Sequence, residues 1–114
     1  MLSKLKYVLV TVVCLAGLPA FADNYDFNLN NRANGWTING FYTFQDGRWS
    51  KNWLQGSRVR PGQRMPMNWN SQSGDCVVPF RVSWVDFGSQ DFTMNWCKNN
   101  PTNIYMKDEG FTWD

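Results

Sequence analysis

The chain has 114 residues, enough for one small domain, and is 43% hydrophobic, 17% aromatic and 18% charged, a composition that excludes a disordered chain. Lys4 and Lys6 fall in a segment expected to be removed, and without them the basic residues equal the nine acidic ones. No electrostatic footprint for a nucleic-acid backbone remains. The absence of histidine takes away the usual general base and the commonest transition-metal ligand, so neither a cofactor nor a metal site is expected.

The first element is an export signal. Met1 to Lys6 is a short basic start, Tyr7 to Leu18 an apolar run, and Ala20-Phe21-Ala22 an A-x-A cleavage site followed by Asp23. The run is too short to span a bilayer comfortably and no second one follows, so the mature form is expected to have no membrane span. Cys14 lies mid-run, without the small residue that precedes a lipid-attachment cysteine. Residues 1–22 are therefore read as a cleaved signal and residues 23–114 as a single domain, periplasmic or secreted. Cys76 and Cys97 are the only cysteines in that domain. In an oxidising compartment they read as one disulfide contributing ~3 kcal/mol.

Strands follow from period-two alternation. Tyr25, Phe27 and Leu29 form one stripe, and Trp36, Ile38, Gly40, Tyr42 and Phe44 share a single parity. Asn34-Gly35 between them is a strong hairpin signal, which would place Phe27 opposite Tyr42 with both apolar stripes on one face. Residues 46–62 are the least regular stretch, punctuated by Asp46-Gly47, Gly56-Ser57 and Pro61-Gly62. Met65, Met67 and Trp69 alternate next, with Pro66 marking an edge strand or bulge. Cys76, Val78, Phe80, Val82 and Trp84 make a fourth stripe, and Phe92, Met94 and Trp96 a fifth. A three-residue loop, Phe87 to Ser89, with Gly88 at positive φ, would pair Trp84 with Phe92 and Val82 with Met94. That register leaves Cys97 on the wrong face and about three residues short of Cys76, although bridged cysteines need Cα atoms within ~7 Å. A bulge near Pro79, or strand exit at Cys97, has to reconcile the two. Ile104 and Met106 begin a last short strand. Five to seven such strands predict an all-β fold: a small antiparallel β-sandwich, or an open barrel, with one disulfide.

Phe27, Asn31, Ile38, Phe41, Tyr42, Trp49, Leu54, Pro61, Gly62, Cys76 and Cys97 form a pattern. It runs from an F-x-x-x-N start and an I-x-x-F-Y strand to a tryptophan loop, a P-G turn and two late cysteines. In this the chain resembles a family of small exported bacterial proteins of unknown function, some of which carry a metabolic lyase name. The resemblance implies an exported β-domain and supplies no activity.

Candidate chemistry is sparse. Asp86-Phe87-Gly88 matches a kinase magnesium motif in letters only and reads as a turn. Asp46, Asp75, Asp86 and Asp91 sit in or beside predicted turns, where aspartate serves local hydrogen bonding, so a hydrolase with paired carboxylates is a distant third reading. Asp86 with Asp91, or Asp108 with Glu109, lacks the ligand spacing of a calcium loop. The seven tryptophans are the most unusual feature. Trp36, Trp69, Trp84 and Trp96 fall on apolar stripes and are assigned to the core. Trp49 and Trp53 lie outside every stripe in the basic segment Arg48-Trp-Ser-Lys-Asn-Trp-Leu54. The thirteen asparagines, Asn68, Asn70 and Asn95 among them, suit either solvated turns or hydroxyl-rich ligands. The expectation is a non-catalytic exported protein whose Trp49, Trp53, Arg48, Lys51 and Asn52 engage an envelope or extracellular protein, as an accessory or inhibitor would. The alternative is a glycan bound by tryptophan and asparagine.

Overall fold

The computed structural model describes residues 25–69 and 75–114. The expected export signal and Asn70 lie outside them. The strands are β1 (Tyr25–Asn31), β2 (Ile38–Gln45), β3 (Arg48–Trp49), β4 (Arg64–Trp69), β5 (Val77–Trp84), β6 (Gly88–Asn95), β7 (Asn103–Met106) and β8 (Phe111–Trp113). One helical turn, α1 (Trp96–Asn99), follows β6. The strands form two four-stranded sheets, ordered β4-β1-β7-β8 and β3-β2-β5-β6. All pairings are antiparallel except β1 with β7. The all-β sandwich read from the sequence is thus the observed architecture. Phe27, Leu29, Trp69 and Ile104 of the first sheet bury against Phe41, Phe80, Val82 and Trp84 of the second. Trp96 closes the core from α1, fully buried, its indole Nε1 donating to the Val78 carbonyl at 3.0 Å.

Three strand-level expectations are corrected. First, β1 and β2 do not form a hairpin. Both edges of β1 are occupied, by β4 and by β7, so β2 has no edge to join and the Asn34-Gly35 turn carries the chain into the other sheet. Asn31 organises that crossing from a fully buried position. Its Oδ1 accepts from the Ala33 N–H at 2.9 Å, and its Nδ2 donates to the Trp36 and Val59 carbonyls at 2.7 and 2.8 Å. The Asn34 N–H donates to Asp108 Oδ1 at 2.8 Å, holding the crossing against the β7–β8 turn.

Second, β2 carries a bulge. Ile38 lies opposite Trp84, yet Gly40 lies opposite Ser83, so Asn39 is the extra residue and the side-chain parity inverts there. Phe41 and Thr43 are buried, whereas Tyr42 and Phe44 leave the expected core stripe for the outer face. Trp36, expected in the core, stays 38% exposed in the crossing loop and packs at a tilt against Phe87, at 4.5 Å between centroids.

Third, the β5–β6 register differs by four residues from the expected one. Trp84 pairs with Gly88, Phe80 with Phe92 and Val78 with Met94. The loop is Val85 to Phe87, with Asp86 and Gly88 both at positive φ. This register resolves the cysteine geometry. The Trp96 N–H donates to the Cys76 carbonyl at 2.8 Å, so Cys97 stands one residue beyond Cys76's cross-strand neighbour. The two are bridged, with Cα atoms 5.1 Å apart.

Candidate binding surface

The segment after β3 acts as an edge cover for β2, and side chains replace part of a missing strand. Ser50 exchanges two hydrogen bonds with Thr43: its N–H donates to the Thr43 carbonyl at 2.8 Å, and its Oγ accepts from the Thr43 N–H at 3.0 Å. Asn52 Oδ1 accepts from the Phe41 and Leu54 N–H groups, and its Nδ2 donates to the Asn39 carbonyl at 2.9 Å. The Trp53 N–H donates to the Phe41 carbonyl at 2.9 Å. Further on, Val59 and Ile38 exchange both backbone bonds. Residues 48–59 therefore satisfy the polar groups along an edge that would otherwise be open to strand addition.

This latch decides where each expected site residue goes. Trp53 turns inward: its ring meets Phe41 at 5.3 Å, Trp69 at 5.4 Å and Phe27 at 6.2 Å, and its Nε1 donates to Ser50 Oγ. Asn52 has its amide committed to β2. Trp49 instead lies on the outer face opposite Phe44, with its ring 5.2 Å away and the Arg81 guanidinium 4.1 Å above the indole. Arg48 and Lys51 are exposed. The two indoles thus diverge, one into the core and one onto the sheet face. They still border adjoining depressions. A groove of about 570 Å³ runs between residues 50–55 and β4, with Trp53, Leu54, Met65 and Met67 along its apolar floor and Lys51 and Gln55 at its rim. A second hollow of about 370 Å³ carries Arg48, Trp49 and Lys51. Thr43, Gln45, Ser50 and Lys51 line both, so all five expected residues border one continuous surface.

The strand beside the groove is protected from pairing. The Asn28 N–H donates to the Thr102 carbonyl, on the β7 side of β1. Its neighbour across β4, Pro66, consequently faces the free edge, where a missing N–H costs nothing within the sheet. The groove therefore presents side-chain pockets rather than a pairing edge.

On the outer face of the second sheet, Arg81 and Asp91 form a bidentate pair, Nε to Oδ1 at 2.6 Å and Nη2 to Oδ2 at 2.9 Å. The guanidinium hydrogen bond holds the Asp91 carboxyl below its ordinary range, so it is ionised at neutral pH and unsuited to general-acid work. Asp86 occupies a left-handed turn position and Asp108 caps the crossing loop, which are local structural uses of both carboxylates. Among the described residues no group of three or more His, Cys, Asp or Glu side chains is placed to hold a metal ion. No described helix is long and apolar enough to cross a membrane. Sequence reasoning missed Phe44 and Arg81 as surface partners of Trp49, and Tyr42 as the cross-strand neighbour of Arg81, because alternation assigned both aromatics to the core. No protein-family model, curated protein or solved structure matches this chain.

Proposed function

We propose that the chain is a non-catalytic, exported binding domain that engages a protein of the envelope or extracellular space, in the manner of an accessory or inhibitor. The observation that carries this is the groove between residues 50–55 and β4. It has an apolar floor of aromatic and methionine side chains, a polar rim, and an adjoining hollow with Arg48 and Trp49. Aromatic and methionine anchors ringed by polar groups are the composition of interface centres, and methionine adapts to the shape of an incoming side chain. Pro66 argues for insertion of a partner's apolar side chain rather than addition of a partner strand. The basic start, apolar run and A-x-A site support export, as does the resemblance to small exported bacterial proteins, and a disulfide persists in such a compartment. The balanced net charge gives no support to a nucleic-acid partner.

The test is affinity capture from envelope extract with three baits: the native protein, Met65→Glu, which places a charge on the groove wall, and Thr112→Ala, on the far edge strand β8. The native and Thr112→Ala baits should retain a discrete partner that Met65→Glu loses. Equal capture by all three, or none by the native protein, would reject the groove as the interface.

A further inference from the structure

The bulge in β2 creates a second surface with a different chemistry. On the outer face of the β3-β2-β5-β6 sheet, Trp49 and Phe44 pair across β2–β3, and Tyr42 lies opposite Arg81, which lies opposite Asp91. One residue row further along, Gly40 lies opposite Ser83, which lies opposite Ser89. The face thus holds an aromatic strip along β2 and β3 beside a strip of hydroxyl and paired charged groups along β5 and β6. Tyr42, Phe44 and Trp49 are each half-buried on it, Trp49 beneath the Arg81 guanidinium.

Gly40 sets the posture of the central ring. A Cβ there would stand 2.8 Å from both Cε1 and the hydroxyl oxygen of Tyr42, and 2.2 Å from Ser83 Oγ. The phenol ring therefore occupies the space a side chain at position 40 would take. Tyr42 itself is half-buried there. Ser83 Oγ donates to Asn39 Oδ1 at 2.7 Å, which ties the bulged residue to the same row. Arg81 is fixed between the Trp49 ring and the Asp91 carboxylate, so its remaining donors and the carboxylate's free lone pairs stand in set positions.

We propose that this outer face binds a neutral glycan chain, one sugar ring packing on the half-exposed Tyr42 ring and neighbouring hydroxyls bonding to the Arg81–Asp91 pair. The charges on the face cancel within that pair, which matches an uncharged polyol and leaves no surplus for an anionic polymer. Adjacent sugar hydroxyls both donate and accept, and a guanidinium beside a carboxylate offers both partners at one spacing. Sugar rings carry apolar C–H faces that pack on aromatic rings. This inference does not rest on the groove, whose lining includes none of Tyr42, Arg81 and Asp91.

The test is calorimetric titration of the exported protein with three neutral hexasaccharides: β-1,4-linked glucose, α-1,4-linked glucose and β-1,4-linked N-acetylglucosamine. At least one should bind saturably. Tyr42→Ala and Asp91→Asn should each weaken that binding about tenfold or more, the scale of one lost stacking or paired polar contact. Gly40→Ala should weaken it by lifting the ring, and Met65→Glu should leave it unchanged. If Tyr42→Ala fails to fold, Asp91→Asn, a change to an exposed side chain, decides alone. Failure of all three sugars to bind, or binding indifferent to Asp91→Asn, overturns the proposal. Capture of a protein that depends on Tyr42, without glycan binding, overturns it equally and makes this face a protein interface.

Discussion

The two tryptophans of the residue 48–54 segment should separate cleanly in a stability measurement. Trp53→Ala removes a ring packed against Phe27, Phe41 and Trp69, and with it the Nε1 bond to Ser50 Oγ that helps hold the latch on β2. Full truncation of a buried tryptophan costs ~3–5 kcal/mol, and because Trp53 also borders the groove, the lower end, about 3 kcal/mol, applies. Trp49→Ala removes an outer-face ring that touches Phe44 and Arg81, worth about 1 kcal/mol at a solvated site. The assay is urea and thermal denaturation followed by far-UV circular dichroism, each variant fitted to its own folded and unfolded baselines. At ~4–8 °C per kcal/mol for a domain of this size, Trp53→Ala should lower the melting temperature by more than about 10 °C, and Trp49→Ala by less than about 8 °C. Equal losses, or a Trp53→Ala loss below about 1 kcal/mol, would refute the assignment of one indole to the core and the other to the surface.

Three further outcomes follow from single features. Replacing Cys76 and Cys97 together by serine should cost about 3 kcal/mol, measured by denaturant melts with and without reductant, because the bridge closes a loop of sequence separation 21. Asn31→Ala should cost about 3 kcal/mol by the same melts, since it strips two carbonyls and one N–H of their buried partner; a loss under about 1 kcal/mol would show that the crossing holds without it. Burial raises the pKa of the Tyr25 phenol, whose O–H donates to the Pro101 carbonyl. The neutral form is thus favoured by folding, and its contribution is complete below the ordinary phenol value of about 10 and falls as pH rises past it. Melts at increasing alkaline pH should show this decline in the native protein and a shallower one in Tyr25→Phe.

The core was legible wherever one strand's parity was enough to define it. Phe27, Leu29, Met67, Trp69, Val78, Phe80, Val82, Trp84 and Met94 alternate inward as their spacing requires. Alternation does not say which strands pair, and it fails at a bulge. The extra residue at Asn39 reverses the faces of Tyr42 and Phe44, and no local composition marks it except Gly40, whose role depends on a ring two residues away. Asn34-Gly35 is a true turn, but whether it returns a strand or crosses to the other sheet depends on β4 and β7 occupying both edges of β1. The β5–β6 register was recoverable from the cysteines. A single bridge between residues 76 and 97 requires Trp84 to pair near Gly88, and that covalent requirement outweighs a preference among loop lengths. Trp53 escaped because it reaches the core from a loop latched by side chains, where no period exists to read. Arg48 and Lys51 are exposed, whereas Asn52 and Trp53 serve the fold and border the groove at once.

Site-specific photo-cross-linking measures the central claim most directly. A benzoylphenylalanine at Gln55, on the groove rim, and another at Thr112, on β8, would be irradiated in cells exporting the protein. The groove account predicts a discrete cross-linked species from position 55, abolished by Met65→Glu, and none from position 112. No adduct at position 55, or the same adduct from both positions, would contradict it.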